Sequence, residues 1–219
     1  MVDYSIIQQR VDAGYAKASA RLGPPYQQFR AAGPNNPTAG PALASPNAWV
    51  TTDVALKGAM PMIFGKPQCF AAIERSGLAV GDYLVGQMGT FFVTSLDYPS
   101  PVALTYCNRT ISIARALDGM QPGANTQRFG TSIQTAQPFM SGWPASLLQM
   151  GSGSKMASTG LNLPTDSKVP AVACLLPVTA PQMRFNDIIT DDLGQRYFIA
   201  SVELSTLGWR ITGEMQPSG

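Results

Sequence analysis

The chain has 219 residues, enough for one or two domains with hydrophobic cores of their own. A formal net charge of +2, with no run of lysine or arginine, argues against specific nucleic-acid binding. The sequence contains no histidine, so hydrolases that depend on a Ser-His or Cys-His pair are excluded, and the commonest metal ligand is missing.

Charged residues make up only 13% of the chain, about half the usual share of ~25%. Glycine and proline are abundant, at 21 and 18 residues. This composition is typical of a β-rich, loop-rich protein. It is also typical of a protein whose surface is largely covered by neighbouring subunits.

Residues 4–22 are predicted to form a helix within an N-terminal region that we place at residues 1–30. Apolar residues recur at spacings of three and four, and Gly23 with the two prolines after it is a strong stop signal. The apolar stripe is narrow and includes small residues, which suits close packing against another element of the same domain or of a neighbouring subunit. The candidate assembly contacts of this region are Ile7, Val11, Tyr15, Leu22, Tyr26 and Phe29.

Residues 31–48 are rich in proline and glycine. This composition predicts an extended arm that lies over an adjacent subunit or, alternatively, a long surface loop.

Residues 49–117 are assigned to a first β module. Residues 68–75 are predicted as a strand or a single helical turn, which their periodicity does not distinguish. Further strands are expected around residues 49–52, on both sides of a turn within 81–95, and as a pair within 101–115 with a turn at Asn108 and Arg109.

Residues 118–167 are dominated by Gly, Ser, Gln, Thr and Asn, and we predict a long irregular insertion there. A structureless segment of this length is unusual in a compact domain, so it is expected either to wrap on a partner or to contain short strands. Trp143 lies in this segment and is the best candidate in the chain for an exposed anchor of a protein–protein contact.

Residues 168–219 are assigned to a second β module. A short apolar run, the turn residues 191–194 and an aromatic, β-branched run at 196–204 predict a hairpin. A third strand around Trp209 alternates with period two, and Trp209 is expected to pack in the core.

The two modules share a local pattern in which an Asp precedes a short strand, a glycine follows seven residues later, and an aromatic residue follows ten residues later. The matched sets are Asp82, Gly89 and Phe92 in the first module, and Asp187, Gly194 and Tyr197 in the second. The pattern indicates a repeated small β-barrel module, or two hairpins that look alike because hairpins share turn chemistry. On the first interpretation the fold is mainly β with one N-terminal helix, and two small β-barrel-like modules are joined by long irregular segments rich in Gly, Pro and Ser.

Two local patterns suggest a phosphate-binding loop and a calcium site, but neither has the residues that such a site requires. Residues 151–155 have the wrong glycine spacing for a phosphate-binding loop. Asp187, Asp191 and Asp192 cluster as a hairpin turn requires, and two turn carboxylates are not a calcium ligand set. We therefore expect no enzymatic activity, no cofactor and no metal site.

Cys69, Cys107 and Cys174 are far apart and odd in number, so we expect buried thiols in a reducing cytoplasm, with one disulfide left open as the alternative. The first ten residues lack the basic start and apolar core of a signal peptide. No apolar run approaches the ~20 residues that span a bilayer, so no membrane segment is expected.

Three stretches of the chain resemble structural proteins of tailed bacteriophages. These are VDAGYAKASARLGPPYQQFRAAGPNNP at 11–37, VGDYLVGQMGTFFVTS with the following CNRT within 80–110, and NDIITDDLGQRYFIASVELSTLGWRI at 186–211. The Asp-turn-strand pattern also resembles the small β-barrels of phage head-closure and tail-joining proteins. The chain departs from the family pattern at Phe91 and Phe92, where a Trp-Phe pair is expected.

The resemblance implies a non-enzymatic component of the virion, assembled in the host cytoplasm as a ring with copies of itself and with neighbouring phage proteins. The tail, at the baseplate or hub, is the first location that it implies, and the neck that joins head to tail is the second. A tail component that binds or cleaves cell-wall polysaccharide is an alternative of another class.

Overall fold

The computed structural model describes residues 4–56, 65–116, 136–150 and 171–215. Within these ranges one helix precedes two groups of six strands. The first group forms a sheet that we call module 1, and the second forms a closed barrel that we call module 2. The prediction of a mainly β fold with an N-terminal helix and two small barrel-like modules is confirmed.

Helix α1 spans Tyr4–Leu22, as the apolar spacing predicts. The strands of module 1 are β1 (Gln27–Phe29), β2 (Ala48–Thr51), β3 (Gln68–Ile73), β4 (Tyr83–Gly86), β5 (Gly89–Ser95) and β6 (Val102–Cys107). Those of module 2 are β7 (Arg109–Ala116), β8 (Ala136–Met150), β9 (Ala171–Leu176), β10 (Ile188–Asp191), β11 (Arg196–Ser205) and β12 (Gly208–Met215).

The two modules have the same strand order. Module 1 runs β1-β4-β5-β6-β3-β2, and module 2 runs β7-β10-β11-β12-β9-β8, with β8 pairing back onto β7 to close the barrel. All of these pairings are antiparallel. Closure removes the free sheet edges that would otherwise template aggregation.

Module 1 is drawn together along the corresponding seam by backbone hydrogen bonds instead of a regular ladder. Residues 24–28 and 43–48 run side by side, with Tyr26 N donating to Pro46 O at 2.9 Å and Leu43 N donating to Gln28 O at 2.8 Å. The prolines of these two segments have no N–H to donate, which interrupts a continuous ladder.

Each module encloses its own apolar interior. The interior of module 1 contains Tyr26, Val50, Leu84, Phe91 and Leu104, all buried. A second and larger cluster fills module 2 and extends outward to the face of module 1 that meets it. Burial of a large apolar side chain contributes about 1.5–3 kcal/mol, so these two clusters account for most of the driving force for folding.

Helix α1 ends against module 1. Gly23 N donates to Ser19 O at 2.8 Å, and Pro24 prevents a further turn. A Cβ atom on Gly23 would lie 2.4 Å from the carbonyl carbon of Ala48, so only glycine allows the end of the helix to approach β2 this closely.

Residues 68–73 form a strand, which is one of the two alternatives predicted for residues 68–75. Two expectations about the connection between the modules need correction. Asn108 and Arg109 do not form a turn, because β6 pairs within module 1 whereas β7 pairs within module 2. The boundary between the modules therefore lies at Asn108 instead of near residue 117.

The predicted insertion at 118–167 contains β8, a strand of 15 residues. Its long antiparallel pairing with β7 and β9 overrides the low β propensity of its Gly, Pro and Ser residues. The remainder of that segment lies outside the described residues. The predicted N-terminal region, 1–30, also includes a strand, since β1 belongs to module 1.

The two modules share their topology, as the predicted repeat requires. The predicted correspondence between residues of the two hairpins is, however, shifted by one residue after the turn. Tyr83 pairs with Phe92 in module 1, whereas the corresponding Ile188 pairs with Phe198 in module 2. The hairpin turn of module 2 is one residue longer, so Tyr197 corresponds to Phe91 and points into the barrel.

Candidate functional site: the junction of the modules and the N-terminal helix

An Arg–Asp pair recurs at the same place in both modules. In module 1 the Arg30 guanidinium donates from Nε to Asp82 Oδ1 and from Nη2 to Asp82 Oδ2, both at 2.7 Å. In module 2 Arg115 donates to Asp187 through the same atoms at 3.0 and 2.9 Å. Bidentate geometry of this kind is the strongest arrangement of an arginine with a carboxylate.

The surroundings of the two pairs also match. Each Asp accepts a backbone N–H from the residue three positions earlier, Ala79 in module 1 and Arg184 in module 2. Each arginine also donates to the carbonyl five positions before its Asp, which belongs to Gly77 or to Gln182. The pairs fasten the connection that precedes β4 or β10 to the end of β1 or β7, so their role is structural.

Module 1 has an additional donor at its pair, Gln28, which bonds to Gly77 O at 3.0 Å as well as to Asp82. Gln28 Nε2 donates to Asp82 Oδ2 at 2.7 Å, and the corresponding position in module 2 is Ile113, which makes no such bond. Asp82 therefore accepts more hydrogen bonds than Asp187, although both carboxylates are almost completely buried.

The modules meet at a junction with a single residue between strands. Asn108 separates β6 from β7, and its side chain holds the backbone of Leu147: Nδ2 donates to Leu147 O at 2.9 Å, and Leu147 N donates to Oδ1 at 2.7 Å. Because a one-residue connection leaves few conformations available, the two modules are held in a fixed relation.

Aromatic side chains fill this junction. The rings of Tyr83 and Trp143 pack edge to face at a centroid distance of 6.2 Å, and Phe92 packs on Tyr83 at the same distance. Tyr83 Oη donates to Pro144 O at 2.8 Å, so the hydroxyl is satisfied in the buried site. Desolvation there raises the pKa of Tyr83 well above its usual value.

The Pro/Gly segment, 31–48, lies on module 2 of its own chain. Trp143 Nε1 donates to Pro34 O at 2.8 Å, and Ser141 N donates to the same carbonyl at 3.1 Å. Asn36 lies against Gly142. Of the two interpretations of this segment, the contacts within the chain favour a surface loop that spans both modules.

Two recesses flank the junction. An apolar groove of about 330 Å³ is lined by residues such as Phe92, Leu148, Leu175 and Trp209. A second, polar recess of about 260 Å³ includes Asn108, Arg109 and Asp192, and the last two form a half-exposed ion pair at 3.6 Å. Both recesses are formed by the meeting of the two modules.

Helix α1 packs on β2 and β3 of module 1 with a face that shares Val11 and Tyr15 with the predicted stripe. The contact residues include Asp12, Tyr15 and Ser19: Tyr15 Oη donates to Pro99 O at 3.4 Å, and Arg75 lies over the Tyr15 ring at 5.6 Å. Arg75 Nε also lies 3.5 Å from Asp12 Oδ1, an ion pair rather than a close hydrogen bond.

The predicted contacts divide into three groups by their exposure. Ile7 and Leu22 of α1 are exposed, while Val11 and Tyr15 are half-buried against module 1. Tyr26 and Phe29 are buried within the chain, and the prediction that Trp143 is an exposed anchor is wrong, because its side chain is 0% exposed. The role of the helix residues in assembly stays a prediction. The expected core position of Trp209 is confirmed, with Nε1 donating to Ala180 O at 3.1 Å.

The three cysteines are buried, as expected, and no disulfide joins them. Burial raises the pKa of Cys69 to about 11 and that of Cys174 to about 12, so both thiols stay protonated at neutral pH. In the described ranges no group of three His, Cys, Asp or Glu side chains is placed to hold a metal ion. The same ranges include no helix with the length and apolar character needed to cross a membrane.

Comparison with protein-family models, with curated proteins and with solved structures gives no match to this chain. The arginines of the two Arg–Asp pairs, which we call the clamps, were not predicted from the sequence, and Asn108 was predicted only as part of a turn. Arg30 and Asp82 are separated by 52 residues, and Arg115 and Asp187 by 72, so no fixed spacing links the pairs.

Proposed function

We propose that this chain is a non-enzymatic structural subunit of a tailed-bacteriophage particle, assembled with copies of itself as a ring in the tail, at the baseplate or hub. The proposal combines the sequence resemblance with one structural observation. That observation is the tandem pair of matched modules joined through a single residue and a buried aromatic junction.

This geometry suits a mechanical part. A rigid two-module body transmits force and position, because its modules cannot rotate about a flexible linker. The Arg–Asp pairs brace the corresponding connection in each module, which adds to that rigidity.

The exposed residues of the chain suit assembly. Large apolar side chains are exposed on α1 (Ile6, Ile7, Leu22) and on the loops and hairpins of module 2 (Phe185, Leu193, Leu204 and Leu207). Subunits that are buried in an assembly carry apolar surface of this kind and few charges.

The test is quantitative mass spectrometry of purified particles of the phage that carries this coding sequence, with intact tails separated from tail-less heads. We expect the chain in the tail fraction at a fixed, multiple copy number. Recovery with the heads alone would move the subunit to the neck, and absence from both fractions would overturn the proposal.

A cell-wall zymogram examines the alternative class. The purified chain is expected to leave the zymogram uncleared. Clearing that persists in a preparation freed of other phage proteins would contradict a purely structural role.

A further inference from the structure

Because the two modules share their strand order, a surface of one module has a counterpart in the other. One surface of module 1 is covered, and its counterpart in module 2 can be identified. In module 1 the face formed by Phe29, Gly81, Tyr83 and Phe92 is covered by module 2. A Cβ atom on Gly81 would lie 2.6 Å from Thr179 Cγ2, which shows how closely module 2 approaches.

The corresponding positions in module 2 follow from strand register and from the Asp–Arg pairs. Gly81 corresponds to Asn186, and both have positive φ, at +90° and +67°. We call this surface the open face, and its residues are Ala114, Phe185, Asn186 and Phe198, which surround Ile188, the buried counterpart of Tyr83.

The open face is apolar and partly uncovered. Phe185 is 67% exposed, whereas the corresponding Val80 in module 1 is half-buried. Asn186 is exposed where Gly81 is buried, and Phe198 is half-buried where Phe92 is fully buried. Arg196 and Glu214 stand at the rim, where module 1 has Thr90 and Thr105.

The surface that we pair with the open face belongs to the N-terminal region, which contains helix α1. Module 2 meets module 1 partly through β8 and β9, and the corresponding strands of module 1 are β2 and β3. Helix α1 packs on those strands. Its first turns extend away from module 1 with residues 5–10 all exposed, including Ile6 and Ile7.

We propose that the open face of one copy binds the N-terminal half of helix α1 of the next copy. The contact is head to tail, because the two surfaces that meet are different, and repetition of such a contact generates a ring or a filament. The occupant is a second copy because the chain already covers the matching face of module 1 with another part of itself. This inference rests on the proposed ring-forming function and names the surfaces that form the ring.

The chemistry of the two surfaces agrees. Phe185 and Phe198 on one side, and Ile6 and Ile7 on the other, are large apolar groups whose burial drives association. Arg10 of α1 is exposed and opposite in charge to Glu214 at the rim of the open face, whereas Arg196 at the same rim has the same charge as Arg10, so an orientation with Arg10 beside Glu214 is favoured. Such rim pairs set orientation and association rate more than affinity.

The experiment uses the purified full chain and two variants, Phe185→Asp and Ile7→Asp, examined by analytical ultracentrifugation over a range of concentrations. We expect the wild-type chain to form higher oligomers and each variant alone to be monomeric. A mixture of the two variants retains one intact open face and one intact helix, so we expect it to form dimers and nothing larger. This outcome distinguishes a head-to-tail contact from a symmetric one.

Leu193→Asp is the matched control. Leu193 is 61% exposed at the hairpin turn of module 2, and the corresponding Met88 is 48% exposed although module 2 covers the neighbouring face. Leu193 therefore lies outside the open face, and the control is expected to assemble as the wild type does. Circular dichroism checks that all three variants are folded.

A wild-type chain that stays monomeric at every concentration would overturn the inference, and so would a Phe185→Asp variant that assembles normally or a variant mixture without dimers. Each of these results is independent of the presence of the chain in purified particles. Failure of the interface can thus be told apart from failure of the proposed function.

Discussion

Module 1 and module 2 share strand order and an Arg–Asp clamp, yet they are closed in different ways. Module 2 closes through β8, which pairs with β7 over most of its length. Module 1 closes through a few backbone hydrogen bonds between 24–28 and 43–48, where prolines interrupt the ladder. A small barrel of this type therefore tolerates an interrupted seam. In module 1 the chain between the two seam segments contacts module 2 through Pro34 and Asn36.

The second difference lies in what covers the outer faces. Module 1 is covered on one side by α1 and on another by module 2, and its outward-facing Tyr83 and Phe92 are buried beneath module 2. Among the described residues, module 2 is contacted by module 1 on one side, and its Phe185 is exposed. Four predictions examine how far the two modules behave as equivalent units.

The largest effect is expected from Trp143→Ala, which removes the buried ring between the modules. Loss of a fully buried aromatic costs about 3–5 kcal/mol, and here it also removes the bond to Pro34 and the contact with Tyr83. We expect the urea unfolding curve, followed by circular dichroism, to shift to lower midpoint and to separate into two transitions.

Trp49→Ala is the control for this variant, since Trp49 lies on β2 and is half-buried. A smaller shift within a single transition is expected for it. If Trp143→Ala unfolds in one transition at the wild-type midpoint, the junction does not couple the modules.

The second prediction compares the clamps through Asp82→Asn and Asp187→Asn. Hydrogen bonds to charged groups contribute about 1.5–3 kcal/mol each, and the amide retains only one acceptor oxygen. Asp82 accepts an additional bond from Gln28, so we expect the variant in module 1 to lose about 1 kcal/mol more than its counterpart. Chemical denaturation of both variants measures the difference, and equal losses would show that the Gln28 contact contributes nothing.

The third prediction compares Gly81→Ala with Gly194→Ala, because both glycines have positive φ, at +90° and +77°, and a Cβ atom on Gly194 would meet nothing within 4 Å. An alanine at positive φ costs roughly 1–2 kcal/mol at either position. Only at Gly81 does the added methyl also meet Thr179, and overpacking of this kind costs about 1–3 kcal/mol more. The excess loss of stability at Gly81, measured by thermal unfolding, reports how tightly module 2 presses on module 1. No excess would mean that Thr179 moves aside freely.

Local patterns predicted most elements of this fold. The three- and four-residue apolar spacing gave α1, and the alternating, aromatic-rich runs with their turn residues gave β4, β5, β10, β11 and β12. These signals lie within windows of about twenty residues, in which period and turn chemistry are sufficient.

Contacts across long separations were not predictable in this way. Trp143 reads as an exposed residue because its segment is rich in Gly, Ser and Gln, and only its pairing with Ile111 of β7 places it inside. Asn108 and Arg109 read as a turn because nothing local shows that β6 and β7 belong to different sheets. The open face could not be predicted from the sequence. It is defined by comparison with the face of module 1 that module 2 covers, and that contact is known only from the folded structure.

The fourth prediction concerns the rates at which the cysteines of the wild-type chain are alkylated, and it involves no substitution. Burial raises the pKa of Cys69, inside module 1, to about 11 and that of Cys174, inside module 2, to about 12. At pH 8 neither native thiol is expected to react, so alkylation reports the opening of the module that contains it. Because the seam of module 1 is interrupted by prolines, we expect Cys69 to be modified before Cys174.

Mass spectrometry of the cysteine peptides over time follows both thiols in one sample, and a urea-unfolded sample provides the control in which all three cysteines react at similar rates. Equal native rates would show that the modules open together, so that the junction at Asn108 and Trp143 is stronger than either seam. Earlier modification of Cys174 would show that the pairing of β7 with β8 is the weaker closure, contrary to what the proline-interrupted seam of module 1 predicts.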